Sequence, residues 1–394
     1  MKNFQLLIIV MLVNVAPALS QQLTTKALQK GGTRRIEEIS SEGYIDYAPV
    51  LSADGKTMIF QSNRLGGWKL FESTLEDNST WSEPHSIDAI NNFGKKNDLI
   101  GGANLSQDGN YLYFFGYFLH QSNSEDIYVS KKGPNGWGNP ESIGASVNSM
   151  EFEGFPSISP DNSTLYFIRE NQKNPVDKAT GESCFIIYST TRDASGKWTN
   201  PKALPSPVNT GCERSPKIME DGKTLLFSSI REGGMGKYDL YQSTLQDHDT
   251  WSSPVLLKEV NTEGNDLSPN ITASGKTLFY ARDNGFYETK ISHKVGPPRH
   301  LAVNGFVKNN ETGEPLDSEI EIINRTTGET ISILINDNPE GLFSFLLTAG
   351  TIYEVTFKSE GFNPSTTTYD LTQLTENQTV ERHVTFGKLM NVIF

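Results

Sequence analysis

Carboxylates recur at a fixed offset along this 394-residue chain. Asp46, Glu153, Glu213 and Asp266 each stand eight positions ahead of a turn residue: Asp54, Asp161, Asp221 and Ser274. In one further copy, built on Asp108, Ile100 takes that place and Asp98 stands two positions earlier. Acids repeated around a channel mouth would attract a cation, a basic peptide or an array of sugar hydroxyls. Two of them roughly 5–9.5 Å apart would also have the chemistry of a glycoside hydrolase. The opposing reading is structural, each acid accepting hydrogen bonds from backbone amides where one repeat meets the next. Arg64, Arg231 and Arg282 follow the strand after the turn in three copies, and Arg64 and Arg231 lie near Gly-Gly pairs. They suit an anion on one face, or those same carboxylates, which match the guanidinium fork.

Other chemistries find little support. The six histidines are scattered, and no His-x-x-Glu or His-Glu-x-x-His zinc motif is present. There is no Gly-x-Ser-x-Gly elbow, P-loop or Gly-x-Gly-x-x-Gly run. No catalytic residue, metal site or cofactor is expected. Cys184 and Cys212 are the only two cysteines, too few for a disulfide scaffold. A bond between them is permitted in an oxidising compartment, and two separate thiols are the alternative.

The elements that must position these residues form an internal repeat. Five segments share a turn followed by an aromatic strand: Leu51 to Phe60, Leu105 to Phe114, Ile158 to Phe167, Ile218 to Phe227 and Ile271 to Tyr280. Asp-Gly and its variants supply the positive-φ positions of a tight hairpin. After the turn, Met58/Phe60, Leu112/Phe114, Leu165/Phe167, Leu225/Phe227 and Leu278/Tyr280 alternate onto one face. A third strand carries Leu70-Phe71, Ile127-Tyr128, Ile187-Tyr188 and Leu240-Tyr241. A Trp-x-x-Pro segment beginning at Trp81, Trp137, Trp198 and Trp251 opens a fourth, with the tryptophan between neighbouring sheets and the proline on an outer edge. Four-stranded sheets repeated radially make a β-propeller. The fifth unit lacks the Trp-x-x-Pro strand, while residues 33–40 offer a spare strand upstream of the first unit. The reading is therefore all-β, with five blades and the N-terminal strand completing the last; six blades are the alternative.

Composition agrees. Aromatics make up 10% and hydrophobic residues 36%, with 34 Gly, which suits a turn-rich β-protein. The net charge of −13 disfavours nucleic acid and anionic membrane surfaces as partners. Lys2, the apolar run Leu6 to Val13 and Ala18-Leu19-Ser20 read as a secretory signal cut after Ser20. No cysteine follows the run, so a lipoprotein is not expected, and no later stretch is long enough to span a membrane.

Ile158-Ser-Pro-Asp161 with Leu165-Tyr-Phe167, and the run Ser229 to Tyr241, resemble the WD40-like propeller repeats of TolB-type periplasmic proteins. A variant of these repeats occurs in outer-membrane-associated proteins of Bacteroidetes. Pro297-Pro298 ends the repeat, and short strands punctuated by Thr312-Gly-Glu-Pro-Leu316, Gly341 and Gly350 follow. This pattern resembles the carboxypeptidase-regulatory-like, transthyretin-like β-sandwich. In such proteins an OmpA-like peptidoglycan-binding domain usually comes next, and Leu389 to Phe394 looks like its lead-in. The expected division is a signal peptide at 1–20, a linker at 21–32, a propeller at 33–296, a sandwich at 297–386 and a tail at 387–394.

Together these imply an exported protein, periplasmic or outer-membrane-associated and without enzymatic activity. Its propeller would bind a protein, peptide or glycan on one ring face. The alternatives are a glycan-active enzyme using the channel carboxylates, or a truncated remnant of a peptidoglycan-anchored OmpA-family protein.

Overall fold

The computed structural model describes residues 32–387, apart from 78, 95–97, 119–123, 247–248, 273–274 and 293–294. The export segment at 1–20, the linker up to residue 31 and the tail from 388 onward lie outside the described residues.

The repeat becomes five antiparallel sheets. Sheet one is Asp46–Leu51, Thr57–Ser62, Lys69–Thr74 and His85–Ser86. Sheet two is Leu99–Leu105, Tyr111–Tyr117, Asp126–Gly133 and Glu141–Ser142, with Gly136–Trp137 also paired to its third strand. Sheet three is Glu153–Ile158, Thr164–Glu170, Phe185–Thr191 and Lys202–Ala203. Sheet four is Glu213–Ile218, Thr224–Ser229, Asp239–Thr244 and Val255–Leu256. Sheet five is Leu267–Ile271, Thr277–Arg282, Gly285–Lys290 and, from the other end of the chain, Arg34–Arg35. The first strands of consecutive sheets touch, and that of sheet five touches that of sheet one, so the sheets close into a β-propeller ring.

Closure rests on burial as well as on pairing. Arg34 and Arg35 pair with Glu288 and Tyr287, and the Ile36 amide donates to the Phe286 carbonyl at 2.9 Å. Ile36 and Ile39 are fully buried among Phe60, Phe71, Trp81 and Phe286 of sheets one and five. The chain's first strand is thereby cemented between its first and last sheets.

Each inner strand carries a β-bulge at one level. Ala48, Gly102, Phe155, Ser215 and Ser268 all have φ between 48° and 55°, in the left-handed region. The ladder shifts register there in every sheet, for instance between Tyr47 and Val50. Four of these residues precede a proline (Pro49, Pro156, Pro216, Pro269), whose missing N–H is tolerated on the unpaired inner edge.

The tryptophans differ in detail from the sequence reading. Trp81, Trp198 and Trp251 form isolated bridges back to Leu75, Arg192 and Leu245, in the turn between third and fourth strands. The fourth strands are two residues long and begin after the proline. The rings do sit between sheets: Trp81 meets Phe279 of sheet five edge-on at 6.3 Å, and Trp251 meets Tyr166 of sheet three at 6.2 Å.

Beyond the ring, two sheets enclose one core. Leu342–Thr348, His300–Asn309 and Gln378–Phe386 form the first; Thr330–Asn336, Ser318–Asn324, Ile352–Lys358 and Ser365–Asp370 form the second. Val303, Val307, Ile320, Val355, Phe357 and Val384 fill the space between them. Arg299, 2% exposed, ties this unit to the ring. It donates to the carbonyls of Pro297 at 2.6 Å, Val295 at 3.0 Å and Gly275 in the turn of sheet five. Lys276, beside that turn, pairs with Glu376.

Candidate functional site

The recurring carboxylates lie inside the wall of the ring. Asp46, Glu153, Glu213 and Asp266 begin or immediately precede the inner strands of sheets one, three, four and five, and all four are fully buried. Each has an arginine partner from the end of, or just after, the neighbouring second strand. Arg64 meets Asp46 at 2.7 Å, Arg169 meets Glu153 at 2.7 Å, Arg231 meets Glu213 at 3.4 Å and Arg282 meets Asp266 at 2.6 Å. Amides of the entering loop supply further donors: Ser41 to Asp46 at 3.3 Å, Ser149 to Glu153 at 2.9 Å, Thr210 to Glu213 at 2.9 Å and Thr262 to Asp266 at 2.6 Å. Burial pushes the Glu153 and Asp266 carboxyls up, opposed by these partners, and pushes the Arg231 guanidinium down.

The arginines are equally committed. Beyond its acid, each donates to a carbonyl of the incoming loop: Arg64 to Ile39 at 3.0 Å, Arg169 to Val147 at 3.0 Å, Arg231 to Val208 at 2.6 Å and Arg282 to Val260 at 2.5 Å. Each guanidinium also lies over an aromatic ring of the third strand, at 5.1 Å from Phe71, 4.8 Å from Tyr188, 4.9 Å from Tyr241 and 5.1 Å from Tyr287. Of the two readings open in the sequence, the pairing of Arg64, Arg231 and Arg282 with those same carboxylates is the one seen, and a ligand-facing acid ring with arginines free to take an anion gives way. A ligand could reach either set only by displacing the other. Arg169 completes the set, and the sequence reading missed it although it stands at the same offset from its turn as Arg282.

Sheet two explains its own departure. Ile100 occupies the acid's position, and Phe118 stands at the offset of Arg64 and Arg231. Both are buried in one apolar cluster, with Phe118 edge-on to Tyr128 at 4.7 Å, where the other sheets put a guanidinium over the ring. An ion pair has been exchanged as a unit for a hydrophobic pair, an exchange that buried pairs often tolerate. Asp98, 1% exposed, is buried nearby and acts electrostatically on Lys69, whose ammonium burial pushes down.

A third marker went unread in the sequence. Asn91, Asn148, Asn209 and Asn261 each clamp one residue of the third strand (Leu70, Ile127, Ile187 and Leu240), accepting from its N–H and donating to its C=O over 2.6–3.0 Å. An Ile-Asn or Val-Asn dipeptide about ten residues after each Trp was the available signal. These amides fix the loop that leads to the next acid.

Cys184 and Cys212 form a disulfide between the starts of the third strand of sheet three and the inner strand of sheet four, with Cα atoms 4.1 Å apart. Among the described residues, no group of three or more His, Cys, Asp or Glu is placed to hold a metal ion. No helix among them is long and apolar enough to cross a membrane.

No family model matches the chain, and no curated protein matches it. Solved structures similar to it include a protein assigned as TolB from Agrobacterium tumefaciens, at 16% identity and TM-score 0.37, covering 77% of this chain and 90% of that one. TolB from Acinetobacter baumannii matches at 14% identity and TM-score 0.38, over 62% of this chain and 54% of that one. A thermostable family-43 glycoside hydrolase matches at 12% identity and TM-score 0.42, over 63% and 89%. This chain is similar to these proteins in its all-β strand architecture.

Proposed function

We propose that this is a non-enzymatic interaction protein of the bacterial envelope, and that the ring face opposite the Asp-Gly turns binds a protein partner. One observation carries the reading. Inner strands enter from one end of the ring, turn at the Asp-Gly hairpins and return, so the loops after the second and fourth strands share the entry end. Tyr44, Leu65, Met150, Val176 and Met235 all lie on those loops, 44–74% exposed. Among the ring's described exposed large apolar residues, only Val255 lies elsewhere, on an outer strand. Exposed Tyr, Met and Leu gathered at one end are the composition of a protein-binding surface rather than of a sugar site. The turn end is where Arg299 and Glu376 attach the second unit, so the entry end lies away from that attachment.

The disulfide fits an exported location. The WD40-like, TolB-type character of the repeats and a transthyretin-like identity for the second unit belong to this reading, with that unit as spacer or second contact. The test is co-isolation from native envelopes of wild-type protein against a Leu65→Asp, Met150→Asp, Met235→Asp variant. Loss of one specific protein from the variant at unchanged melting temperature supports the reading; an identical set of co-isolated proteins sinks it.

A glycan-active enzyme is the second reading, and Asp126 is what favours it. Burial, and then the neighbouring Glu153, push this half-buried carboxyl up to about 6, where a general acid would sit. Release of reducing sugar from envelope glycans, lost in Asp126→Asn, would favour this reading over the first.

A further inference from the structure

The ring encloses a channel lined by its five inner strands. Two cavities lie end to end along it, each lined by residues from all five inner strands. The wider one opens toward the Asp-Gly turns and holds about 530 Å³ including its mouth. Lys217 and Asn270 line both cavities and so mark the level where they meet. Among the described residues of both linings the only charged side chains are Lys217 and Glu220, the latter exposed on the turn side.

At that level the equivalent residues of the five inner strands are Val50, Asn104, Ser157, Lys217 and Asn270. Three of them lace neighbouring sheets together. Asn104 Oδ1 accepts from the Ile158 amide at 3.0 Å, Ser157 Oγ from the Ile218 amide at 3.0 Å, and Asn270 Nδ2 donates to the Pro49 carbonyl at 2.7 Å. Lys217 does nothing of the kind: among the described residues its ammonium has no hydrogen-bond partner, and Glu220 is the one acid that acts on it, through space. Asn104 is 3% exposed, and with its oxygen committed, its Nδ2 hydrogens have no protein acceptor among the described residues. The channel waist thus offers a cation and an amide donor with no protein anion at the same level. Desolvation within the wall pushes the Lys217 amine down to about 8, and Glu220 is the acid that opposes this. Lys217 is half-buried, so its ammonium is reachable from the channel and an incoming anion would meet no protein partner that it has to displace.

We propose that the channel waist is a carboxylate-binding site, with Lys217 as the cationic donor and Asn104 Nδ2 as the second donor. The carboxylate belongs either to a small free acid or to the C-terminus of a peptide entering the channel; the chemistry at the waist is the same. An ammonium–carboxylate pair backed by an amide donor is a strong, charge-assisted arrangement in a confined polar channel. Carboxylate binding at the waist does not depend on what the apolar face binds.

Calorimetric titration of the full chain tests it, with acetate, succinate and a short peptide whose C-terminus is free or amidated. The wild type should bind at least one carboxylate probe saturably below ~10 mM, a range typical of a weak single-site ligand. Lys217→Met should weaken that binding by roughly 10- to 100-fold, and Asn104→Leu by a smaller factor. Because Lys217→Met removes an unpaired charge, its melting temperature should not fall, so lost binding cannot be blamed on lost folding. Tighter binding of the free-ended peptide than of acetate, abolished by amidation, assigns the site to a chain terminus. Equal binding of acetate and peptide assigns it to a small acid. Absence of saturable binding by every probe, or equal affinity in Lys217→Met, overturns the proposal.

Discussion

Exchanging the ion pair of sheet one for the apolar pair of sheet two is the sharpest test of how the ring is held. The substitutions are Asp46→Ile and Arg64→Phe, which copy Ile100 and Phe118 at identical offsets from the turn. Arg64→Phe alone leaves a fully buried carboxylate without its 2.7 Å partner, and breaking a buried pair on one side costs about 3–5 kcal/mol. Asp46→Ile alone leaves a guanidinium that still donates to Ile39 and lies over Phe71, but without its countercharge and with the Ser41 amide orphaned. About 3 kcal/mol is expected there. Additive behaviour would put the double variant about 6–8 kcal/mol below wild type. The sheet-two precedent predicts a loss of no more than about 3 kcal/mol, a coupling of at least 3 kcal/mol, at the upper end for residues in contact. Urea unfolding followed by tryptophan fluorescence reads the cycle, since Trp81 packs in the same cluster. Additivity within about 0.5 kcal/mol, or an Arg64→Phe loss under about 1 kcal/mol, would refute the reasoning.

The other predictions concern closure, the loop clamps, the disulfide and pH. Deleting residues 33–40 removes the fourth strand of sheet five and the fully buried Ile36 and Ile39, so the melting temperature should fall sharply; an unchanged value would mean the ring does not need this strand. Asn261→Leu orphans the Leu240 N–H, while the Leu240 C=O keeps the Leu257 amide at 3.0 Å, and should destabilise by about 1–3 kcal/mol in thermal unfolding. Cys184→Ser with Cys212→Ser opens a 28-residue loop and should cost about 3–4 kcal/mol, read as a lower urea midpoint. Asp126 has a folded pKa of about 6, raised above its unfolded value. Its penalty is therefore absent at acid pH and grows as pH rises from about 4 to 6. Asp126→Asn should remove about 1–3 kcal/mol of that decline, measured as the difference in unfolding free energy between pH 4 and pH 7.

Much of the fold was legible because its signals are local. An Asp-Gly turn with alternating aromatics after it reports a hairpin within ten residues, and five copies report the ring. The closing strand was legible by subtraction: sheet five lacked a fourth strand and residues 33–40 had no other place. The site was harder, because its meaning is relational. A recurring acid reads alike whether it faces a ligand or an arginine, and only the ring shows Arg64, Arg169, Arg231 and Arg282 lying against the four carboxylates. Sheet two's Ile100 looked like an irregularity until Phe118 was seen to have changed with it. Lys217 has no sequence signature at all: it is one of the chain's 34 basic residues until the fold puts it at the channel waist. The tryptophans misled slightly because Trp-x-x-Pro reads as a strand start, whereas the ring needs a bulky plug at the turn and only two paired residues beyond it.

The claim that the entry face binds a protein partner is tested most directly by site-specific photo-crosslinking in intact cells that make the protein. A crosslinking residue is placed at Leu65, Met150 or Met235 on that face, and at Lys56, Asn110 or Lys223 on the turn face as the internal comparison. The account predicts one discrete envelope-protein adduct, formed from all three entry-face positions and from none of the turn-face positions. Adducts of equal yield and identity from both faces, or formed from the turn face alone, would contradict it.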